Sequence, residues 1–344
     1  MSEIKIVNPL ESADWDNLLL TNNECSFFQS SGWAKVLTES YHYKPLYFAQ
    51  IDHERLSALL PLMEVKNLLL GKKGISLPFS DYCPPVALNS KQLRKIIESA
   101  ISHGKESGWK YVELRGGGDH LQNITSSSSY YNHTLSLENG EKAIFTSLRG
   151  STQRNIKQSL KKKVIVRISN SPDSMKEFYR LHCLTRKRHS LPPQPFHFFK
   201  NIYDYIISKG KANILLASLG KSNIASALFF HFGVKALYKF GASDAQYNHY
   251  RPNNLVMWEA IKWYAGNGYE TLDFGRTAFS NNGLSQYKRG WGTEESIINY
   301  YKYDFRRDDF VQNHSIVEPL FPIFKSFPVS LLRIIGNVLY RYAA

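Results

Sequence analysis

The feature that most limits how this chain can fold is a long-range internal repeat. Ala100-Ile101 leads to Gly108-Trp109 and then to Tyr111-Val112-Glu113-Leu114. Ala260-Ile261 leads to Gly268-Tyr269 and then to Thr271-Leu272-Asp273-Phe274, each member 160 positions on (100 to 260, 108 to 268, 114 to 274). A looser match joins Leu56–Leu60 to Ile224–Leu228, preceded by Ala49 and Ala217, and Phe27-Phe28 resembles Phe198-Phe199. The shared order of helix, glycine-aromatic pair and strand, at a period far longer than a solenoid repeat, reads as duplication of a whole α/β domain. A chain of 344 residues suits two such domains. The expected division is residues 1–148, residues 149–312 and a proline-broken tail over 313–344.

Local patterns fill in the elements. Ile4–Val7 reads as a first strand, Ser12 as a helix start, and Ser31–Tyr41 as a helix with Trp33, Val36 and Leu37 on one side. Leu46–Ile51 and Leu56–Val65 read as strands around the turn Asp52-His53-Glu54-Arg55. Gln92–Lys105 is a helix whose apolar face is Leu93, Ile96, Ile97, Ala100 and Ile101, stopped by Gly108 ahead of a strand at Tyr111–Leu114. Ser126–Ser129 reads as a polar surface loop. A last amphipathic helix is expected over Val329–Tyr342, with Leu331, Leu332, Ile335, Val338, Leu339 and Tyr342 opposite Arg333, Asn337 and Arg341.

Composition narrows the function classes. Lys plus Arg exceeds Asp plus Glu by 43 to 29, a net charge of +14 that favours anionic partners: nucleic acid, diphosphate-linked sugars or an anionic membrane surface. Cys25, Cys83 and Cys183 are scattered and suggest neither a disulfide framework nor a metal site, which suits a reducing cytoplasm. The start lacks the apolar core of a signal peptide, and no run of about 18 apolar residues offers a spanning helix. No Walker loop, dinucleotide fingerprint, Gly-x-Ser-x-Gly elbow or His-Glu-x-x-His occurs, so metal and covalent-nucleophile chemistry have little support.

What remains is chemistry by positioning and charge. Arg154, Lys157 and Lys161 share a helical stripe, which reads as a phosphate or RNA contact or as a solvated face. Thr185-Arg186-Lys187-Arg188-His189 packs basic groups together and reads equally as a diphosphate or carboxylate contact or as a solvated face. Gly283-Leu-Ser-Gln-Tyr-Lys-Arg-Gly-Trp-Gly292 is the sharpest local signal. Its glycines permit close approach to a ligand, and Lys288 suits a phosphate or a developing oxyanion, although a glycine-rich hairpin also explains it.

Together these residues resemble the Fem family of peptidoglycan-bridge aminoacyltransferases over roughly residues 25–305. The motifs are Phe28-Gln29-Ser30 with Trp33-Ala34-Lys35, Arg154-Asn155-Ile156, Thr185-x-x-Arg188, Tyr238-x-Phe240-Gly241-x-Ser243, Asp273-Phe274-Gly275 and Tyr287-Lys288-x-Gly290-Trp291-Gly292, in order. The resemblance implies two tandem GNAT-like α/β domains with mixed sheets, and transfer of an aminoacyl group to an amine on a cell-envelope precursor. It implies Lys35 and Arg188 as diphosphate contacts, with Arg154, Tyr287 and Trp291 also on substrate. Tyr238 and Phe240 would line the groove, and Lys288 would stabilise charge at the reacting carbonyl. Asp81 is either the remaining acidic catalytic group or a turn cap.

The donor is aminoacyl-tRNA or acyl-CoA. Gly241–Asn254 and Ser80–Lys91, the places for a pyrophosphate turn, lack its glycines, which counts against acyl-CoA. The acceptor is a diphosphate- or lipid-linked glycan or peptide, and the last helix either docks in a protein groove or associates peripherally with the inner face of the membrane. A coiled-coil arm for tRNA is missing, and Tyr300-Tyr301 stand near the place of a carboxylate that the family often carries. Leu191-Pro-Pro-Gln-Pro-Phe196 and the last helix resemble the family's exopolysaccharide-associated branch. The competing readings are an acyl-CoA-dependent N-acyltransferase of exopolysaccharide synthesis and a non-catalytic module that binds RNA or an anionic polymer.

Overall fold

The computed structural model describes residues 3–67, 71–117, 121, 124–312 and 322–342. They form two compact units. The first holds the chain up to Tyr131 and the segment that begins at Ile297; the second holds Asn132–Ser296 and the C-terminal helix. The expected break at residue 148 follows the chain, whereas residues 132–148 pack in the second unit and the segment from Ile297 packs in the first.

In the first unit β1 (Lys5–Val7) is followed by α1 (Trp15–Leu20) and α2 (Ser31–Tyr41). Then come β2 (Lys44–Asp52), β3 (Arg55–Asn67), β4 (Gly71–Ile75), the short β5 (Val86–Ala87), α3 (Ser90–Glu106), β6 (Trp109–Arg115) and β7 (Ser128–Ser136). β7 carries the chain into the second unit. The Ser126–Ser129 loop expectation is corrected here, because Ser127 is buried and Ser128 and Ser129 are strand.

The second unit continues with α4 (Gly140–Ser147), α5 (Gly150–Lys161), β8 (Ile165–Ile168), α6 (Pro172–Arg188) and α7 (Phe196–Tyr205). β9 (Ala212–Leu219), β10 (Ser222–Phe232), β11 (Lys235–Ser243), α8 (Pro252–Gly266), β12 (Thr271–Asp273), β13 (Thr277–Ala278) and α9 (Asn282–Arg289) follow. β14 (Glu294–Asp304) returns the chain to the first unit, where β15 (Asp309–Phe310) pairs with it. α10 (Val329–Leu339) ends the described chain; residues 313–321 of the expected tail lie outside it.

The repeat is visible as topology. β1, β2, β3 and β4 are antiparallel neighbours and β6 joins β4 in parallel. β8, β9, β10 and β11 are antiparallel neighbours and β12 joins β11 in parallel. Each parallel step needs a crossover, supplied by α3 in one unit and α8 in the other. Each sheet then adds an antiparallel strand from the other repeat, β14 beside β6 and β7 beside β12.

Both crossover helices end alike. Gly108 and Gly268 sit at φ +69 and +79, the left-handed conformation that stops a helix and that glycine adopts without strain. α3 buries Leu93, Ile96, Ile97 and Ala100 against Leu46, Phe48, Leu60 and Leu62, each such side chain contributing about 1.5–3 kcal/mol on full burial. α8 buries Leu255, Trp258, Ile261 and Tyr264 with Leu215, Phe229 and Leu272. Unlike α3 it is apolar on nearly all sides, because a second layer covers it: Phe145 of α4 meets Trp258 edge-on at 5.0 Å and α5 packs alongside. α5 therefore turns its other face to solvent.

Candidate active site

The site is built where β12 ends. The Asp273 carboxylate accepts from the backbone N–H of Gly275, and from the side-chain amide of Asn132 at 3.0 Å. Gly275 takes φ +71, so the chain turns back sharply and offers two successive carbonyls to α9. The Lys288 ammonium donates to the carbonyl oxygens of Gly275 at 2.6 Å and Arg276 at 3.1 Å, and is 2% exposed. The alternative of a glycine-rich hairpin does not hold: residues 282–289 are a helix, capped by the Asn281 side chain accepting from Leu284 N–H. Helical spacing puts Ser285, Lys288 and Arg289 together at i, i+3 and i+4.

Behind Lys288 lies a group of polar side chains that the sequence did not single out. His133, on β7, is fully buried, with Nε2 3.1 Å from Glu295 Oε2 and 3.4 Å from Ser285 Oγ. Arg289 grips the same Glu295 carboxylate with two bonds of 2.8 Å, a fork geometry that fixes both partners. Burial and then the Lys288 charge hold the His133 pKa below its ordinary value, whereas the Arg289 bonds hold Glu295 low. A neutral imidazole donating to an ionised carboxylate follows. The His133 carbonyl also accepts from Phe274 N–H at 2.9 Å, so one residue steadies both the carbonyl turn and the helix that carries Lys288. No local pattern links position 133 to 295; the pairing exists only through the sheet.

The glycines after Lys288 approach protein, not the ligand first expected. A Cβ on Gly290 would lie 2.8 Å from Thr152 Oγ1, and one on Gly292 3.2 Å from Ser147 Oγ. Gly290 also accepts from Arg149 N–H at 3.1 Å, at the start of α5. Trp291 is wholly buried and Tyr287 half-buried, with ring centres 6.1 Å apart. Burial raises the Tyr287 pKa, as it does that of Tyr238, pushed up to about 12.

Tyr238 and Phe240 do not share a groove. The ladder pairs Tyr238 with Phe229 but Phe240 with Leu228, so Lys239 is an extra residue in a β-bulge. The bulge reverses the alternation of sides. Tyr238 packs on Phe229 and Phe274, on the α8 side near Tyr287. Phe240 packs among Phe178, His182 and Phe199 of α6 and α7. Gly241 is required beside Tyr238, because a Cβ there would lie 1.9 Å from the phenol oxygen.

The remaining expected residues are placed as follows. Thr185 exchanges bonds with the Ser243 backbone, accepting at 2.9 Å and donating at 3.1 Å, which ties two of the sequence motifs together. Arg188 is exposed at the end of α6; the neighbour Arg186 is the one held, by the Pro192 carbonyl and the Tyr340 hydroxyl. Arg154 is exposed on α5. Between Glu141 and Asp173 the chain has eight Lys or Arg residues and no acid. Among the described residues, Arg149, Arg154, Lys157, Lys161, Lys162 and Lys163 share no salt bridge and all are exposed.

Lys35 and Asp81 belong to the first unit. Lys35 is half-buried and pairs with Glu39 one turn on, at 2.8 Å. The Asp81 carbonyl accepts from the Tyr300 hydroxyl at 2.6 Å. Beside it is Arg115, another residue no pattern marked. Its guanidinium donates to Glu113 at 2.9 Å and to the carbonyls of Leu77 and Ser80 at 3.3 and 3.0 Å.

The N-terminus of α8 stands where GNAT enzymes bind the pyrophosphate of acyl-CoA. A 3-10 turn at Ala245–Tyr250 precedes it, Arg251 is left-handed, and Pro252 leaves the first turn one N–H short. Among the described residues no group of three or more His, Cys, Asp or Glu is placed to hold a metal ion.

Residues 146–289 match the family model described as an acetyltransferase (GNAT) domain. The chain is 23% identical over 332 residues to a lipid II:glycine glycyltransferase of Staphylococcus haemolyticus (strain JCSC1435), covering 67% of this chain and 78% of the relative. A protein of the same name from Staphylococcus saprophyticus subsp. saprophyticus is 21% identical, over 77% and 86% of the two chains. Among solved structures, FemX superposes with a TM-score of 0.69 at 16% identity, covering 87% of this chain and 97% of FemX. A tandem GNAT protein from the clavulanic acid biosynthesis pathway does so with 0.53 at 9% identity, covering 88% and 98%. The fold and these matches define an acyltransferase of the GNAT class, in two GNAT-like halves. Within that class the chain is similar to the lipid II:glycine glycyltransferases, and its fold is similar to that of FemX.

Proposed function

We propose that this protein transfers an aminoacyl group from aminoacyl-tRNA to an amine of a lipid-linked peptidoglycan precursor. The observation that carries the reading is Lys288, a buried ammonium aimed by two carbonyls and backed by the His133–Glu295–Arg289 group. The names of the staphylococcal relatives support the acceptor. The donor is argued from the N-terminus of α8, where Pro252 leaves one N–H fewer for a pyrophosphate, and from the cations around α5, which suit the phosphates of an RNA strand.

The acceptor amine attacks the ester carbonyl of the donor, forming a C–N bond and an oxyanion. Collapse breaks the ester C–O bond, and the departing ribose oxygen takes up a proton to become a hydroxyl as the attacking nitrogen loses one. Lys288 stabilises the oxyanion in a site from which water is largely excluded, where a fixed positive charge is most effective. Tyr238, Tyr287 and Trp291 shape the wall next to it. Arg154 meets donor phosphates, while Lys35 and Arg188 remain the proposed diphosphate contacts and Asp81 the proposed acidic group.

The test offers purified protein a lipid extract containing the precursor, with labelled amino acids plus tRNA and synthetases, or with labelled acetyl-CoA, each with and without ribonuclease. Ribonuclease-sensitive transfer from the amino-acid pool is expected, weakened by the double change Lys157→Glu, Lys161→Glu. Ribonuclease-resistant transfer from acetyl-CoA would overturn the donor.

A further inference from the structure

We propose that the outward face of α10 lies in the surface of an anionic phospholipid bilayer. The inference stands on the C-terminal helix alone and needs neither the donor nor the reaction proposed above.

The sequence suggests one apolar face for this helix; the structure divides its apolar residues between two. Leu332 and Gly336 are buried against the protein. A Cβ on Gly336 would lie 2.0 Å from the Pro193 carbonyl oxygen, so the helix sits as close as backbone permits. Tyr340 locks the end of the helix, its hydroxyl accepting from Arg186 at 2.6 Å and donating to the Pro192 carbonyl at 3.2 Å. The side facing the protein is thus already complete.

The other side is apolar as well. Leu331, Ile334, Val338 and Leu339 are 38%, 62%, 60% and 44% exposed, four large apolar side chains within nine residues. Leu331, Ile334 and Val338 follow i, i+3 and i+7 and form one ridge. Such a ridge exposes on the order of 300 Å², well below the ~800 Å² per partner of a standard protein interface.

Charge decides the occupant. From residue 322 to 342 the chain has Lys325, Arg333 and Arg341 and no acidic residue, which complements anionic headgroups. The 11 residues of α10 extend about 16 Å at 1.5 Å each, against a hydrocarbon core of ~30 Å. No described helix is long and apolar enough to cross a membrane. A short helix with an apolar ridge and basic flanks lies in the plane of the interface.

The experiment is sedimentation of the full chain with vesicles of phosphatidylcholine alone or mixed with phosphatidylglycerol, alongside sedimentation velocity without lipid. Binding that requires phosphatidylglycerol is expected, reduced about tenfold by Ile334→Glu with Val338→Glu, both exposed enough to leave folding and transfer to a water-soluble acceptor fragment unchanged. Unchanged vesicle binding by that variant overturns the proposal. So does equal binding to phosphatidylcholine, or a dimer in solution that the variant separates. The change Lys157→Glu, Lys161→Glu supplies the remaining arm: if it abolishes vesicle binding, the α5 face holds the membrane and the proposal falls.

Discussion

The two halves of the molecule use one device to different ends. At the end of β6 in the first unit, Arg115 is held by the carbonyls of Leu77 and Ser80. In the second unit, just past β12, Lys288 is held by the carbonyls of Gly275 and Arg276. The difference lies in the nearest acid. Glu113 bonds Arg115 directly, and although burial pulls the guanidinium pKa down, Glu113 raises it overall. In the second unit Glu295 is engaged by Arg289 and His133 instead. A cation neutralised in place serves the fold. On the proposed function, a cation aimed by neutral carbonyls, with the nearby carboxylate bonded to Arg289 and His133, would direct its field at a substrate.

The largest test of this contrast exchanges each cation for methionine. Lys288→Met should lower the transfer rate about 10²–10³-fold, and cost about 1–3 kcal/mol of stability for the carbonyls left unpaired. Arg115→Met should do the reverse. Breaking a buried pair costs about 3–5 kcal/mol, and transfer per folded molecule should fall far less. Steady-state transfer and urea denaturation on both variants decide the matter. If Lys288→Met loses only stability, Lys288 is a second structural cation; if Arg115→Met loses rate at constant stability, the first unit takes part in the chemistry.

A smaller effect separates the halves by pH. His182, in the second unit, is buried with Nε2 2.7 Å from Gln194 Oε1, and burial, then the Arg186 charge, lowers its pKa to about 3. His133 and His231 of the same unit are lowered too, in each case chiefly by burial. A histidine neutral in the folded state takes up a proton in the unfolded chain from about pH 6.5 downward. Between that value and the folded pKa the unfolded state holds more protons, so stability rises with pH and is lost on acidification. The second unit should therefore weaken from about pH 6.5, and His182→Gln should flatten the slope. Hydrogen exchange resolved by unit, at pH 7 and pH 5, would show it. Equal weakening of both units, or an unchanged slope in the variant, would remove histidine from the explanation.

How much of this was legible in the sequence follows from the range of the interactions. The α2 boundaries, the Leu93–Ala100 face of α3 and both crossover units were readable, because periodicity and glycine stops are local. The turn at His53 and Glu54 was read from its charge, and both residues are left-handed there. Lys288 was readable as a residue of interest, although its helix was not, since the glycines around it pointed to a hairpin. The Lys239 bulge, the exchange of β7 and β14, and the meeting of His133 with Glu295 were not readable. The bulge depends on the exact register of the β10–β11 hairpin, and the other two on which strand lies beside which, information that residues more than a hundred positions apart do not write locally. Arg115 was missed because two of its three partners are carbonyls, which every residue has.

The finest test asks whether the repeat is energetically a repeat. Gly108 and Gly268 have the same place after α3 and α8, φ values ten degrees apart, and no heavy atom within 4 Å of a built Cβ. Packing therefore contributes nothing at either site, and the cost of alanine is the cost of a left-handed backbone alone, about 1–2 kcal/mol. Gly108→Ala and Gly268→Ala should lose the same amount in chemical denaturation, within about 0.5 kcal/mol, despite the different cores beneath the two helices. Gly241→Ala is the counter-case, since a Cβ there meets Tyr238 and the loss is steric. If Gly268→Ala cost twice as much as Gly108→Ala, the end of α8 would be bearing on the carbonyl turn that holds Lys288, and transfer would fall with it. Equal losses with unchanged transfer would mean that the duplicated scaffold and the site built on one half of it are separable.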